Sequence, residues 1–234
     1  MSDFSQILVA KAVRVFVFGL VSVVTPIYLA LLGYSPLLVG TVLASMVAGS
    51  TLWNLLVVKY EVRVGTRRFL FFFSLLMLIS GVLLFLTSFP LAIIVACFIG
   101  NISTTGTEAG PFQSFEAAIL PRLVSEENRN RSFGVYNMIG YGASSFGAFA
   151  ASAPFYFQNN LFAFRSLYLL YGIVGIVLVL LYTRVQAFKT PRPVGERTGV
   201  TGLSQQAKRD VKKLSVLFSI DAFGGGLVSQ SILV

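Results

Sequence analysis

Residues 69–88 read FLFFFSLLMLISGVLLFLTS and contain no charged side chain. A helix needs about 20 consecutive apolar residues to cross the ~30 Å hydrocarbon core of a bilayer. A helix at the surface of a soluble protein would keep one polar face, whereas this stretch is apolar on every face. It therefore predicts a helix that spans a membrane.

The same pattern recurs along the chain and predicts an all-α integral membrane protein. Six spans are expected, near Ile7–Leu32, Leu37–Val58, Phe69–Ser88, Leu91–Leu120, Ser132–Ala153 and Phe164–Thr183. A seventh apolar stretch begins at Leu214. We therefore divide the chain into a six-helix bundle (1–184), a basic cytoplasmic linker (185–213) and the first helix of a missing second half (214–234).

Composition and charge agree with a membrane protein. The hydrophobic fraction is 56%, and the charged fraction is 12%, about half that of a soluble domain. If the spans alternate in direction, Arg165 is the one basic residue on the far side. Basic flanks stay in the cytoplasm, which predicts a multi-pass protein of the plasma membrane with a cytoplasmic N-terminus. The net charge of +9 is spread over several membrane edges, so it indicates contact with the lipid bilayer and not with nucleic acid.

Small residues suggest a repeat of three helices plus three helices. Gly40, Ala44 and Ala48 form a stripe in the second span, and a stripe that includes Gly147 lies in the fifth. Such stripes let helix backbones approach closely, and repeats of three helices are common in transporters. The stripes are equally compatible with ordinary packing in any helix bundle.

The residues needed for most enzymatic chemistry are missing from the sequence. The chain has no His and one Cys, Cys97, which excludes His-based triads and His-based metal sites. The sequence also lacks a phosphate-binding Lys-Ser or Lys-Thr loop. We therefore expect no enzymatic activity, no metal and no cofactor.

The fourth predicted span carries the richest set of polar residues. If it is one continuous helix, Asn101, Thr105 and Glu108 share a face, and Pro111 introduces a kink. An ionisable group at membrane depth is costly and is a candidate for function. Glu108 either binds a proton or a cationic substrate in a central cavity, or it is a structural carboxylate paired with a basic group.

Other polar residues within the spans are candidates either for function or for structural contacts. Glu116 is expected to form a salt bridge near the cytoplasmic mouth, and Arg14 is expected to extend toward the membrane interface. Asp221 lies within the seventh span as another candidate for proton or substrate binding. Tyr136 and Asn137 line the cavity or form hydrogen bonds between helices.

Two cytoplasmic loops carry motifs of a known family. Residues 59–68 read KYEVRVGTRR and resemble the loop Gly-x-x-x-Asp-Arg-x-Gly-Arg-Arg between helices 2 and 3 of the major facilitator superfamily. Residues 120–134 read LPRLVSEENRNRSFG and are similar to the family's second cytoplasmic turn, with an acidic pair before Arg-x-Arg. The first motif departs from the family: its aspartate falls on Val62, with Glu61 beside it, and its first glycine falls on Val58. The fourth span lacks the Arg of many proton-coupled members, and the fifth lacks the Gly-Pro of drug antiporters.

The resemblance implies a six-helix bundle of the major facilitator type and a secondary transporter for a small-molecule substrate, with proton coupling as one option. It also implies a cytoplasmic gate, which we assign to Glu61, Arg63, Arg67, Arg68, Glu116, Arg122, Arg129 and Arg131. Such a half would pair with a C-terminal half or form a homo-oligomer. The alternative is a transport-inactive truncated or split membrane protein that acts as a scaffold or partner subunit.

Overall fold

The computed structural model describes residues 2–107, 110–156, 161–188 and 204–226 of the chain. Throughout these ranges the regular structure is helical, which confirms the all-α class. In chain order the α-helices are α1 (Asp3–Leu31), α2 (Pro36–Val64), α3 (Thr66–Leu86), α4 (Pro90–Ile99), α5 (Pro111–Ile119), α6 (Arg129–Ala150), α7 (Ala153–Tyr156), α8 (Leu161–Arg184) and α9 (Gln205–Gly226). Short 3₁₀ turns cover Leu120–Arg122, Glu126–Asn128 and Gln186–Phe188.

Local sequence signals explain where the first helices begin and end. The hydroxyls of Ser2 and Ser35 accept backbone hydrogen bonds and cap the first turns of α1 and α2. Pro36 and Pro90 lie at the starts of α2 and α4, where a missing N–H costs nothing. Gly65 separates α2 from α3 with a φ of 87°, a conformation that glycine adopts without steric cost.

Four helices in the described part of the chain are long and apolar enough to cross a membrane: α1, α2, α3 and α8. Helix α4 is apolar but has only ten residues. Helix α6 has 22 residues and a more polar sequence. The described residues therefore form a bundle with four candidate membrane-spanning helices, and the count of six crossings stays a prediction.

Close backbone contacts hold the bundle together. Helix α1 packs against α6 and α8, α3 packs against α8, and α2 packs against α4. A Cβ added at Gly147 of α6 would collide with the carbonyl oxygen of Phe16, and one at Gly49 of α2 with that of Phe98. The predicted small-residue stripe of α6 thus makes a close contact through Gly147. In the predicted stripe of α2, Gly40 has open space beside it and makes no close contact. The close backbone contact of α2 is made by Gly49.

The predicted fourth span is not one helix. Helix α4 ends at Ile99 and α5 begins at Pro111, so the expectation of a continuous, kinked helix over 91–120 was wrong. The connecting sequence contains three glycines and several Ser, Thr and Asn residues, all of which disfavour helix. Asn101 and Gly106 adopt positive φ values of 54° and 70°, which no helix contains.

Helix α9 crosses the boundary that we predicted between the linker and the seventh span. It begins after Ser204, whose hydroxyl accepts the backbone N–H of Ala207 at 3.1 Å, and it continues through Gly226. The last part of the predicted linker and the start of the predicted seventh span are therefore one helix within the described residues.

Candidate functional site

A fully buried ion pair joins α1 to α5. The guanidinium of Arg14 donates to both carboxylate oxygens of Glu116, with Nη1–Oε1 at 2.9 Å and Nη2–Oε2 at 2.7 Å. Both side chains have 0% of their surface exposed. Paired, parallel hydrogen bonds of this kind are the strongest arrangement available to Arg and a carboxylate. The interface role predicted for Arg14 was wrong, since the guanidinium is held inside the bundle and does not reach its surface.

Two tyrosines complete the ion pair and connect it to two further helices. The hydroxyl of Tyr182 on α8 donates to Glu116 Oε1 at 2.8 Å, and that of Tyr136 on α6 donates to Oε2 at 2.9 Å. Arg14 also donates to the Tyr182 hydroxyl, and its guanidinium lies 4.7 Å from the ring centroid of Phe112. We call Arg14, Glu116, Tyr136 and Tyr182 the buried polar cluster. Because each member comes from a different helix, the cluster fixes the positions of α1, α5, α6 and α8 relative to one another.

A second buried cation lies one turn before Arg14. Lys11 is 4% exposed, and its ammonium nitrogen lies 3.5 Å from the ring centroid of Tyr136. A Cβ at Gly140, one turn beyond Tyr136 on α6, would lie 2.5 Å from Lys11 Cε. The lysine side chain therefore lies across the space that the missing side chain of Gly140 leaves open.

A polar pocket opens beside this lysine, between α1, α6 and the start of α5. We call it the lysine pocket; its described lining consists of Lys11, Val15, Thr107, Gln113, Asn137, Gly140 and Tyr141. Two amides, two hydroxyls and one ammonium group thus line one pocket, next to the buried polar cluster. Polar groups at membrane depth are expensive unless they are paired or face a cavity, so their concentration here makes the lysine pocket a candidate binding site.

The break between α4 and α5 forms one side of this region. Its backbone is held by side chains of other helices: Tyr171 donates to the carbonyl oxygen of Gly100 at 2.5 Å, and Ser144 donates to that of Gly106 at 2.8 Å. Irregular backbone at membrane depth is tolerated where it is buried in protein or lines a cavity. Asn101 is 3% exposed, and neither polar atom of its amide has a hydrogen-bond partner among the described residues.

The structure gives the predicted substrate and proton residues different environments. Tyr136 is buried in the polar cluster, and Asn137 lines the lysine pocket. Thr105 is exposed in the break, where its hydroxyl lies 2.9 Å from that of Thr107. The side chain of Asp221 is exposed on α9. Glu108 lies outside the described residues, and the helical face that was to group it with Asn101 and Thr105 does not exist, because residues 101–107 are not helical.

The predicted gate residues also divide by burial. Glu116 is fully buried, whereas Arg129 forms an exposed pair with Glu126 at 3.8 Å. Glu61 accepts the hydroxyl of Thr66 at 3.2 Å across the turn between α2 and α3. The remaining basic side chains of the set are half-buried or exposed: Arg63, Arg67, Arg68, Arg122 and Arg131.

A smaller polar group lies at the opposite end of the bundle. Arg165 at the start of α8 donates to the Tyr28 hydroxyl at 3.0 Å and to the hydroxyl of Ser88. Tyr34 donates to the carbonyl oxygen of Ser88. Burial raises the pKa of Tyr34 and neighbouring Tyr28 adds to the shift, while the charge of Arg165 opposes it. These bonds tie the ends of α1, α3 and α8 together.

Sequence reasoning missed Lys11, Gln113 and Tyr182 as members of a polar site. Lys11 and Arg14 stand three residues apart on one helix face, which was the available signal for a buried basic stripe. Gln113 and Tyr182 carried no such signal, because their roles depend on contacts between helices. In the described ranges, no group of three His, Cys, Asp or Glu residues is placed to hold a metal ion.

Comparison with known proteins identifies the relatives of the chain. A sequence profile of the Major Facilitator Superfamily matches residues 7–234, a range that includes both loop motifs. Uncharacterized membrane protein YJR124C of Saccharomyces cerevisiae (strain ATCC 204508 / S288c) is 28% identical over 136 residues. That alignment covers 58% of this chain and 30% of the yeast protein. No solved structure matches the chain.

Proposed function

Because this chain belongs to the Major Facilitator Superfamily, whose members are transporters, we propose that it takes part in moving a small solute across a membrane by alternating access. In this mechanism one helical bundle rocks against another around a site near the middle of the membrane. The observation that carries the proposal beyond family membership is the lysine pocket, where polar side chains of α1, α5 and α6 line one cavity.

We assign the solute site to the lysine pocket and the adjoining break between α4 and α5. Asn137 lines the pocket, and Tyr136 contacts its lysine. The buried amide of Asn101 and the hydroxyl of Thr105 supply polar groups in the break. Glu108 and Asp221 remain the proposed carboxylates for proton coupling, since a carboxylate at membrane depth can change its protonation during a transport cycle.

We propose that the arginine-rich loops at residues 59–68 and 120–134 form the cytoplasmic gate. We also propose that the chain lies in the plasma membrane with its N-terminus in the cytoplasm. The exposed arginines around the turn between α2 and α3 and around the start of α6 support this orientation through the positive-inside rule. A Ser2→Cys variant in a Cys97→Ala background tests it with a membrane-impermeant maleimide. The cysteine should react only after the cells are permeabilised, and reaction in intact cells would place the N-terminus outside.

The test of transport is flux into liposomes that contain the purified chain. Internal pH is recorded with a trapped dye while solutes are added, with and without an imposed pH gradient. Solute-dependent proton movement should occur in the wild type, disappear in Glu108→Gln and persist in Glu127→Gln, which changes an exposed carboxylate. Coupled movement that persists in Glu108→Gln would remove Glu108 from the mechanism.

A second candidate function is a transport-inactive subunit or scaffold. The large apolar side chains of α9 favour a role in binding a partner, since Leu214, Leu217 and Phe218 are 52%, 63% and 68% exposed. A C-terminal half or a second copy of the chain would be the partner. Folded protein that gives no flux for any solute, and that gains flux only when a partner is added, would favour this function.

A further inference from the structure

We infer that one side of α9 binds an anionic phospholipid, with the headgroup on three basic side chains and an acyl chain along two apolar ones. We call this side the lipid face; it consists of Arg209, Lys212, Lys213, Val216 and Ile220. The inference goes beyond the proposed function, because neither solute transport nor a scaffold requires a lipid of particular charge at this helix.

The five residues of the lipid face share one side of the helix and follow a fixed order. At about 100° per residue, their side chains fall within an arc of about 100°. All five are exposed. Lys212, Val216 and Ile220 follow one another at intervals of about 6 Å along the helix axis, so the charge comes first and the apolar surface after it. A molecule with a charged end and an apolar tail matches this order.

A shallow surface pocket lies on the same side of α9. Its described lining consists of Lys212, Ser215, Val216, Ser219 and Ile220. The hydroxyl of Ser219 donates to the backbone carbonyl oxygen of Ser215 at 2.7 Å, so this polar group is satisfied within the helix. An acyl chain can therefore cover Val216 and Ile220 without leaving the Ser219 hydroxyl unpaired.

The positive charge of the lipid face is not neutralised by the described part of the chain. There, none of the side chains of Arg209, Lys212 and Lys213 forms an ion pair. Asp210 is the single acidic residue between 204 and 220, and its carboxylate accepts a hydrogen bond from Gln206 at 3.4 Å. Clusters of Lys and Arg beside an apolar helix segment attract anionic lipids by about 1 kcal/mol per basic residue. The phosphate of a headgroup also accepts charge-assisted hydrogen bonds from these side chains.

The setting favours a lipid over a protein as the occupant of this face. The chain belongs to a membrane-protein family and four of its described helices are candidate spans, so phospholipid surrounds it. The apolar residues that favour a partner subunit, Leu214, Leu217 and Phe218, lie on the other side of α9, centred about 140° away. A partner on that side would leave the lipid face open to the bilayer.

The test measures lipid binding by the full chain in detergent micelles, so it does not depend on transport. Ser219→Cys, in a Cys97→Ala background, carries a fluorophore beside the apolar end of the lipid face. The micelles are titrated with anionic phosphatidylglycerol or with zwitterionic phosphatidylcholine, each with a spin label on an acyl chain. The spin label quenches the fluorophore when the acyl chain lies against this part of α9, so quenching reports binding at the lipid face.

Two double variants separate the charged part of the lipid face from the apolar part. Lys212→Gln/Lys213→Gln removes two charges, and Val216→Ser/Ile220→Ser removes the apolar surface. Because all four side chains are exposed, we expect both variants to fold.

Lys59→Gln/Arg184→Gln is the matched control for the charge variant. Both side chains are exposed, near the end of α2 and at the end of α8. The control has the same net charge as Lys212→Gln/Lys213→Gln but leaves the lipid face intact.

Phosphatidylglycerol should quench at a lower mole fraction than phosphatidylcholine in the labelled chain and in the control. Lys212→Gln/Lys213→Gln should weaken phosphatidylglycerol binding about 30-fold, at about 1 kcal/mol per charge, and leave phosphatidylcholine binding nearly unchanged. Val216→Ser/Ile220→Ser should weaken the binding of both lipids about tenfold or more, because it removes apolar contact area. Raising the salt concentration from about 50 mM to about 500 mM should reduce the preference for phosphatidylglycerol.

Three outcomes would overturn the inference. The first is equal quenching by the two lipids, or an equal loss of preference in the charge variant and its control. The second is fluorescence that changes with protein concentration and not with lipid, which would show that a second copy of the chain covers the face. The third is competition by glycerol 3-phosphate as strong as that by unlabelled phosphatidylglycerol, which would show that the apolar residues take no part. Since none of these measurements involves flux, failure of this inference and failure of the transport proposal are distinguishable.

Discussion

Replacing Glu116 with Gln should destabilise the chain severely, although the side chain keeps its shape. The carboxylate accepts two bonds from Arg14 and one each from Tyr136 and Tyr182, over 2.7–2.9 Å. Gln retains one oxygen acceptor, but it removes the negative charge that accepts two hydrogen bonds from the buried guanidinium of Arg14. Removing one partner of a buried ion pair costs about 3–5 kcal/mol. We expect about 3 kcal/mol for Glu116→Gln, because the amide oxygen still accepts a hydrogen bond, and a larger loss for Glu116→Ala.

The double variant Arg14→Met/Glu116→Gln tests whether the loss comes from the pair. It removes both charges, so it should be less destabilised than the sum of the two single variants by about 2 kcal/mol or more. The free energy of unfolding is measured by denaturant titration in detergent, with thiol reactivity of Cys97 as the probe. In thermal unfolding, a loss of about 3 kcal/mol corresponds to a fall of about 10 °C for a chain of this size.

The control for this prediction is the exposed pair between Glu126 and Arg129, whose closest atoms are 3.8 Å apart. Glu126→Gln should leave the melting temperature unchanged, because exposed pairs contribute little. The reasoning fails if Glu116→Gln costs less than about 1 kcal/mol and the losses of the single variants simply add in the double variant. Water would then reach the cluster, and the cluster could not hold four helices together.

Three further predictions concern the bundle and are checked by the same unfolding assay. Gly147→Ala should lower the melting temperature because the new methyl group meets the backbone of α1, whereas Gly40→Ala should not; equal effects would contradict the packing. Asn101→Gly should leave the melting temperature unchanged or raise it, since it keeps a backbone with φ of 54° and removes a buried amide without a described partner, while Asn101→Val should lower it. Arg165→Ala should lower the melting temperature by a few degrees, because it removes hydrogen bonds that join α8 to α1; no change would show that solvent replaces these bonds.

The positions of most helices could be predicted because single-residue chemistry decides them. Long apolar stretches predicted helices. The first break, between α1 and α2, lies where Ser35 caps α2 and Pro36 begins it, and the second, between α2 and α3, lies at the turn formed by Gly65. These signals are local and do not depend on the rest of the fold. The class of the protein therefore followed from the sequence.

The break in the fourth span was missed because the apolar composition of residues 91–120 favoured one continuous helix. The low helix propensity of the glycine and hydroxyl residues within this stretch received too little weight. Residues 100–110 contain glycines and hydroxyl residues that are not polar enough to end an apolar stretch. What stabilises the irregular path is tertiary: Tyr171 of α8 and Ser144 of α6 satisfy its carbonyl oxygens. Without such donors a continuous helix would be cheaper in a membrane, and the sequence does not reveal that these donors lie nearby.

The partner of Arg14 could not be found from one sequence either. Its carboxylate lies 102 residues away on another helix. Either carboxylate of the fourth span could have paired with it, and the assumption of a continuous helix placed Glu108 and Glu116 on different faces. The actual pairing depends on how α5 is oriented after the break, which is a property of the assembled bundle.

The ion pair and the lysine pocket are connected through Tyr136. Its hydroxyl bonds to Glu116 of α5, while its ring contacts Lys11 of α1. A displacement of α6 along α1 would therefore disturb the ion pair and the pocket cation in the same movement. A ligand that draws the ammonium group of Lys11 away from the ring would also change the environment of the tyrosine that supports Glu116. Binding in the pocket and the stability of the bundle are thus expected to be coupled, and a fully apolar contact between α1 and α6 could not provide this coupling.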